Sequence, residues 1–555
     1  MLLSGIAQMS GDEHDFRIRP GRGRDAGQGA GRGAKRLAAQ VRKASARAGR
    51  TRSRRIGGRP SRGTGARGRG GRALAGMGRS PHQRRVTVMA RIVRHRGAQF
   101  RAAPLARHIS YLERDGVTRD GRDASMFDAD GAAADRGAFA DRCADDRHHF
   151  RFIVSPEDAG DLADLRTFTR ELLGDMERDL DTRLDWIAVD HWNTDNPHIH
   201  ILVRGVADDG SDLVIDRAYV AAGIRGRAEE RATLELGPRT ERDIADALAR
   251  EVTAERWTSL DRELQSLARD GGIVDLHPDA GRTPARERLL LGRTATLERL
   301  GLAAREADGR WAIDEGIETK LRAIAERGDI IKTMHRAAER DGLRFDPSAL
   351  ALHTAAAGEP VIGRLVARGL DDELAGSAFA VIDGADGRLH HLRFDNLELT
   401  GDARPGAIVE LRQWDDRSGT RQSLAIRSDL SLAEQVTARG ATWLDRQLVA
   451  RDPVVATGRF GLELRAAADA RRDHLAEEGL AHRRSDRTVF ESDLLPKLEE
   501  RDLGAAVAEI AERTGLPHRP SAPGDYVSGI YRERMTLASG RFAMIDDGLG
   551  FQLVP

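Results

Sequence analysis

The sequence predicts an α+β protein whose first ordered domain is an antiparallel sheet covered by helices. Between Arg85 and Gly205, strand-like alternation and helical spacing succeed each other in the order strand, helix, strand, helix, strand, strand. The last two strands flank WNTDNP, whose Asp, Asn and Pro are turn formers, so these strands should pair as a hairpin. Such an order suits a layer of helices over a largely antiparallel sheet.

The individual elements of this domain follow from local patterns. In the first helix, Ala103–Gly116, apolar residues recur on one face. The second helix, Glu157–Leu180, is amphipathic and has an acidic first turn, which favours a helix N-terminus. The predicted strands are Arg85–His95, His148–Pro156, Leu184–Trp192 and His198–Gly205.

The 555 residues suffice for three to four domains. Glu287–Asp314 predicts a helix, a turn, a second helix and a glycine-centred hairpin, as in a winged helix-turn-helix. Pro360–Trp414 predicts short strands with hairpin turns, hence a small β-barrel. The predicted domains are a disordered basic arm (1–82), the sheet domain (83–270), a helical, winged-helix-like domain (271–350), the barrel (351–430), and a helical region ending in short strands (431–555).

Charge is distributed unevenly along the chain, although the formal net charge is only +1. Gly21–Phe100 contains 23 Lys or Arg and one acid, whereas the residues after Phe100 contain 64 basic and 84 acidic side chains. A glycine-spaced arginine run indicates contact with a polyanion such as nucleic acid, because guanidinium groups match phosphate oxygens. A solubilising linker is the alternative interpretation.

Cys143 is the only cysteine, so the chain has no internal disulfide and fits a reducing compartment. No apolar stretch is long enough to span a membrane. The opening MLLSGIAQM lacks a basic segment and is a poor signal peptide, so we expect a cytoplasmic protein.

Three histidines form the candidate site. His198 and His200 are two residues apart on one strand and therefore share a face. His191 ends the preceding strand, and the hairpin folds it back beside the other two. Three converging imidazoles predict a divalent metal site with open positions, against the alternative of core or surface histidines.

The pattern leaves the metal and its supporting groups open. Three nitrogen ligands suit Zn, Mn, Co or Ni, whereas Mg prefers oxygen. Asp190 and Asp195 flank the cluster, and either is a candidate to hydrogen-bond a ligand histidine, although Asp195 fits a turn equally well. Such a site can produce hydroxide or polarise a phosphoryl oxygen for another nucleophile.

The motif His-Ile-His after a hairpin histidine resembles that of the HUH endonucleases, and the chain is similar to relaxases of conjugative or mobilisable elements, related to those that nick T-DNA borders. The resemblance rests on FRIRPGRGRD, YLERDGVTRDG, HHFRFIVSPED and DHWNTDNPHIHILVRG. ELAGSAFAVIDGADGRLHHLRF is similar to the uncharacterised C-terminal domain of this relaxase type. Where the family often has Asp two residues after the first histidine, this chain has Asn193.

The resemblance implies a relaxase-like sheet covered by helices, with Tyr111 as the nicking nucleophile and His191, His198 and His200 as metal ligands. It also implies a Mg or Mn cofactor in use, with Zn, Co or Ni as alternatives. Tyr111 would attack a phosphate at a transfer origin, form a 5′-phosphotyrosyl intermediate and later rejoin the strand. The implied partners are single-stranded origin DNA, accessory relaxosome proteins and the coupling protein of a type IV secretion system. His149 is a candidate for contact with the scissile phosphate, with a core or surface position as its alternative.

Three other functions remain open at this point. A rolling-circle replication initiator or an HUH transposase would use the same site. A metal-dependent hydrolase would use water and leave Tyr111 a structural residue. A DNA-binding scaffold would use only the basic arm and the winged helix.

Overall fold

The computed structural model describes residues 80–95, 103–192, 196–268, 272–278, 282–353, 360–416, 419–484, 487–522 and 524–555. The chain divides into two compact units, one ending at Leu248 and the other running from Ala249 to Pro555. The predicted basic arm, 1–82, lies outside the described residues except for its last three positions.

The first unit is built on a four-stranded sheet, which confirms the predicted α+β class. The strand order is β1-β2-β4-β3, and all neighbouring strands are antiparallel. Both predicted helices are present, but the second begins at Leu165 rather than Glu157, and its first turn has no acidic residue. A short helix that the sequence did not predict lies between them. The strands are β1 (Val86–Arg94), β2 (His148–Pro156), β3 (Trp186–His191) and β4 (His198–Arg204); the helices are α1 (Ala103–Asp115), α2 (Arg136–Arg142), α3 (Leu165–Leu180) and α4 (Ile224–Leu236), the last preceded by a π-helical turn, Tyr219–Gly223.

One face of this sheet carries the hydrophobic core of the first unit. Phe152 of β2 and Ile201 of β4 are directly paired, and both are buried in one cluster with Leu172 of α3. Helix α3 begins at Asp164, whose carboxylate accepts hydrogen bonds from two backbone N–H groups, and it ends at Asp181 in a left-handed conformation. Each large apolar side chain buried there contributes about 1.5–3 kcal/mol, which fixes the register of the sheet.

The opposite face of the same sheet carries imidazole and guanidinium side chains. The register pairs His200 of β4 with Ile153 of β2, and Leu202 with Arg151. Because successive side chains alternate between faces, these residues lie opposite the hydrophobic core. The polar face of the sheet is therefore the one on which chemistry can take place.

The second unit contains several small sheets with helices between them. Helix α5 (Glu241–Val252) crosses the boundary between the units. The other helices of the second unit are α6 (Ser259–Leu267), α7 (Pro284–Arg299), α8 (Ile317–Arg340), α9 (Leu432–Val436), α10 (Trp443–Val449), α11 (Gly458–Glu477) and α12 (Leu494–Thr514). Its strands are β5 (Ile273–Asp275), β6 (Ala303–Ala307), β7 (Arg310–Ile313), β8 (Leu350–Leu352), β9 (Ile362–Asp372), β10 (Ser377–Gly384), β11 (Leu389–Phe394), β12 (Ile408–Asp416), β13 (Gly419–Ser428), β14 (Ala481–Arg484), β15 (Arg487–Phe490), β16 (Ile530–Leu537), β17 (Gly540–Asp546) and β18 (Phe551–Val554).

The prediction of two helices within Glu287–Asp314 is wrong in part. The segment contributes to one continuous helix, α7, which Thr283 caps and which has proline in its first turn. The predicted hairpin is confirmed: β6 and β7 pair across a turn with Gly309 at φ 71°. The helix that precedes α7 is α6, which lies before the predicted segment, so two helices are followed by a hairpin. Strand β5 pairs with β7 and makes this hairpin a three-stranded sheet.

The predicted small β-barrel is also wrong. Within the described residues, strands β8 to β13 form an open six-stranded sheet in the order β13-β12-β9-β10-β11-β8. An apolar cluster lies on each face of this sheet, and the sheet does not close into a barrel. Val381 packs with Met334 of α8 on one face, whereas Ala380 packs with Leu392 and Leu424 in a separate cluster. Helix α8 buries the apolar side chains of one face, and the apolar side chains of the other face pack against one another.

Among the described residues, no helix combines the length and the hydropathy that a membrane span requires.

Candidate metal centre

The three predicted histidines meet on the polar face of the first unit's sheet. His191 and His198 are directly paired across β3 and β4, and His200 is two residues further along β4. Their ring centroids are 4.5–5.4 Å apart, and their ligand nitrogens lie within 4.8 Å of one another. All three side chains are buried, with no more than 8% of any of them exposed. The hairpin therefore brings the trio together as the sequence predicted.

Hydrogen bonds fix the ring of His198 and the nitrogen that it can offer. Its Nδ1 lies 2.9 Å from the carbonyl oxygen of Asn196, so Nδ1 carries the proton and donates. Its Nε2, which then bears the lone pair, faces Nε2 of His200 at 3.1 Å. A divalent cation can accept both lone pairs, whereas without one the second ring must donate a proton to the first.

His191 is held by the helix that carries Tyr111. Its Nε2 lies 2.8 Å from the carbonyl oxygen of Leu112 in α1, so Nε2 donates and Nδ1 keeps its lone pair. Gly116, one residue beyond α1, packs against the same ring. Helix α1 thus orients a candidate metal ligand through its backbone, a role that a carboxylate often takes.

A methyl group at position 116 would disturb this arrangement. A Cβ built there lies 2.6 Å from Cδ2 and 2.7 Å from Nε2 of His191. We expect Gly116→Ala to displace the ring from the Leu112 carbonyl and to weaken Zn²⁺ and Mn²⁺ binding about 10- to 100-fold, the usual effect of losing a supporting contact. Competition with a chromophoric chelator measures this change.

Gly226→Ala in helix α4 is the matched control, because nothing lies within 4 Å of a Cβ at that position. This control should bind metal as the unaltered protein does. Unchanged metal affinity in Gly116→Ala would show that His191 does not depend on its contact with α1.

Tyr111 is in helix α1, immediately before Leu112. Its side chain is 5% exposed, and the guanidinium of Arg114 lies 5.1 Å from the centre of its ring. The candidate nucleophile therefore belongs to the same helix as the carbonyl that positions His191.

Asp190 does not support a ligand histidine, contrary to one of the two alternatives drawn from the sequence. Strand alternation puts its side chain on the face opposite His191, where its carboxylate accepts from Arg166 Nε (2.9 Å) and Trp192 Nε1 (2.8 Å). The other alternative, Asp195, lies outside the described residues, as does Asn193. Sequence reasoning missed the carbonyls of Leu112 and Asn196, because a backbone oxygen leaves no residue signature.

His149 lies on the polar face of β2 but is 2% exposed. Burial lowers the pKa of His149 well below its ordinary value, and the positive charge of Arg151 adds to this effect. The Arg151 Nε–H donates to His149 Nε2 (3.1 Å), so His149 Nδ1 donates to His95 Nε2 (2.7 Å). His149 is thus a neutral, buried residue that holds Arg151, and the core alternative fits it better than direct phosphate contact.

Two arginines lie side by side on the polar face. Arg151 of β2 is directly paired with Arg91 of β1, and both side chains are half-buried. The face that carries the histidine trio therefore also has the charge to attract a phosphate group.

A match to a known family lies in the second unit. Residues 290–422 and 411–555 match a family described as a protein of unknown function, DUF3363. The matched region includes the segment from Glu373 to Phe394, but it contains neither Tyr111 nor the trio of His191, His198 and His200. No curated protein and no solved structure matches the chain.

Proposed function

We propose that the protein is a relaxase of the conjugative or mobilisation type, with the first unit as its HUH endonuclease domain. It nicks one DNA strand at a transfer origin through metal-assisted attack by Tyr111. The observation that carries the proposal is the buried trio of His191, His198 and His200 on an antiparallel sheet, together with the backbone contact that ties His191 to the Tyr111 helix.

The reaction is an exchange of one phosphodiester for another. The phenolic oxygen of Tyr111, after losing its proton, bonds to the phosphorus, and the bond from phosphorus to the 3′-oxygen breaks. The leaving 3′-oxygen takes up a proton, and the protein stays linked to the 5′ end. Because the tyrosyl ester keeps the phosphodiester energy, a 3′-hydroxyl can later reverse the reaction and rejoin the strand.

A divalent cation bound by the three imidazoles would neutralise charge on a non-bridging phosphate oxygen. Three nitrogen donors suit Mn, Zn, Co or Ni better than Mg. Arg151, fixed by the neutral His149, adds a second positive group on the same face of the sheet. A guanidinium held in this way can orient a phosphate without moving during the reaction.

The proposed substrate is single-stranded or melted DNA, because stacking in a duplex hides the scissile bond. In the cytoplasm of a donor cell, accessory relaxosome proteins would open the origin. A type IV secretion coupling protein would then receive the protein–DNA conjugate. The basic arm contributes phosphate contacts that do not depend on sequence.

The test uses the full chain, stripped with chelator, and a random-sequence library of single-stranded oligonucleotides labelled at either end. Each of Mg, Mn, Zn, Co and Ni is added separately before separation on a denaturing gel. We expect a metal-dependent adduct that retains the 3′ label, while the 5′-labelled fragment is released with a free 3′-hydroxyl. Peptide mass spectrometry should place the DNA on Tyr111.

The other functions give different outcomes in the same assay. Cleavage without an adduct indicates a hydrolase that uses water, and DNA retention without cleavage indicates a binding scaffold. Either result contradicts the proposal. Plasmid transfer to a recipient cell separates a relaxase from a rolling-circle initiator or transposase, which would also form the adduct.

A further inference from the structure

Two segments of the second unit are copies of each other. Thr253–Leu264 (TAERWTSLDREL) and Thr437–Leu448 (TARGATWLDRQL) are identical at seven of twelve positions, 184 residues apart. Helices α5 and α9, which precede them, end at positions separated by the same 184 residues. Each segment contains a capping box, formed by Thr258 with Asp261 and by Thr442 with Asp445.

A fully buried arginine completes each copy in the same way. Arg293 donates through Nε and Nη2 to Asp261, at 2.7 and 2.8 Å. Arg471 donates through the same atoms to Asp445, at 2.8 and 2.9 Å. Their remaining donors go to backbone carbonyls at equivalent positions: Arg293 to Val252, Ala254 and Arg256, and Arg471 to Val436, Ala438 and Gly440.

The elements after each buried arginine also correspond. Helix α7 is followed by the hairpin β6–β7 and the long helix α8, and helix α11 by the hairpin β14–β15 and the long helix α12. We call residues 252–340 the first module and residues 436–514 the second module. Two helices followed by a hairpin is also the element order of a winged helix-turn-helix, and the second unit has this order twice.

The hairpins of the two modules differ in charge. The hairpin of the first module, Ala303–Ile313, has two arginines and two acids. The hairpin of the second module, Ala481–Phe490, has three arginines and one acid. The second hairpin is thus the more basic of the two and the better suited to a polyanion.

Two arginines near the tip of the second hairpin form the centre of this surface. Arg484 and Arg487 are directly paired, so they share a face, and both side chains are exposed. Within the part of the chain that the structure describes, neither has an acidic partner, whereas the neighbouring Arg483 is paired with Asp473. Two adjacent, exposed guanidinium groups can bind phosphate oxygens, and an anion from a binding partner would offset their mutual repulsion.

We infer that the second module binds duplex DNA, with Arg484 and Arg487 on backbone phosphates. A duplex presents one phosphate charge for about every 1.7 Å of its length, which suits two adjacent guanidinium groups. This inference does not depend on the proposed nuclease, because it concerns the second unit alone.

The test compares two full-length variants with the same change in charge. Arg484→Glu/Arg487→Glu alters the hairpin, and Arg439→Glu/Arg451→Glu alters exposed arginines elsewhere in the second module. Fluorescence anisotropy with duplex and single-stranded DNA is recorded from 50 to 300 mM salt with chelator present, and circular dichroism verifies folding. We expect the hairpin variant to bind duplex about tenfold more weakly than the control variant at about 100 mM salt. The slope of log affinity against log salt should be smaller by about two, since two phosphate contacts are lost.

Three results would overturn the inference. Equal weakening in both variants would indicate a general effect of charge. An unchanged salt slope would mean that neither arginine contacts a phosphate. Equal losses for duplex and single-stranded DNA would assign the hairpin to single strands instead.

Discussion

Tyr111→Phe should abolish the covalent protein–DNA adduct while leaving the fold and metal binding in place. Phenylalanine keeps the buried ring but removes the only oxygen that can bond to phosphorus. We expect strand cleavage to fall by about 10⁴-fold or more, the scale seen when a covalent nucleophile is removed. The denaturing gel of the adduct measures the loss, as do single-turnover kinetics with an oligonucleotide that forms the adduct.

Tyr219→Phe is the matched control, because Tyr219 is also a buried tyrosine of the first unit. Its hydroxyl donates to Asp179 at 2.8 Å, and burial together with this carboxylate raises the pKa of the phenol. A phenol held neutral in this way is a poor nucleophile, so the control should form the adduct normally. An adduct that persists in Tyr111→Phe and maps to Tyr526 or Tyr531 would refute the assignment of Tyr111.

Arg471→Met should destabilise the second module strongly. The guanidinium of Arg471 is fully buried, and its loss leaves the charge of Asp445 and the carbonyls of Val436, Ala438 and Gly440 without their donor. Removing one partner of a buried ion pair costs about 3–5 kcal/mol. Hydrogen exchange of the amides in α10 and α11 measures the local free energy of opening.

The neighbouring residue supplies the control for this substitution. Arg472 pairs with Asp469 on the surface and is partly exposed, so Arg472→Met should change stability by less than about 1 kcal/mol. Arg293→Met should produce a loss like that of Arg471→Met in the first module, because the two arginines make equivalent contacts. Wild-type exchange rates in Arg471→Met would mean that the hydrogen bonds of Arg471 do not stabilise the second module.

The sequence predicted the histidine trio well because its geometry follows from two local rules. Residues two apart on a strand share a face, and a run of turn formers folds the next strand back. These rules could not predict the backbone carbonyls that orient the rings, because Leu112, whose carbonyl accepts from His191, is 79 residues away in the sequence. Asp190 was a misleading candidate because proximity along the chain says nothing of the face on which a carboxylate lies.

The second unit was harder to predict for a different reason. Short alternating strands suggested a closed barrel, but alternation does not tell whether the outermost strands of a sheet pair with each other. Within the described residues, β13 and β8 stay at opposite edges of the sheet, and α8, from outside the predicted barrel segment, covers one face. The sequence analysis did not predict the repeat of the two modules, because the sequence identity between them is concentrated in a short segment. Their arginines are separated by 178 residues rather than 184, so the repeat has no constant period.

In the proposed function, the hydrogen bond between His191 and the carbonyl of Leu112 couples the position of α1, the helix that carries Tyr111, to the affinity of the three histidines for a cation. Any substrate that stabilises α1 in this position must tighten metal binding by the same factor by which the metal tightens substrate binding. Metal affinity measured with and without an uncleavable oligonucleotide would give this coupling free energy directly. The centre is therefore expected to hold its ion most firmly when a strand is ready to be cut.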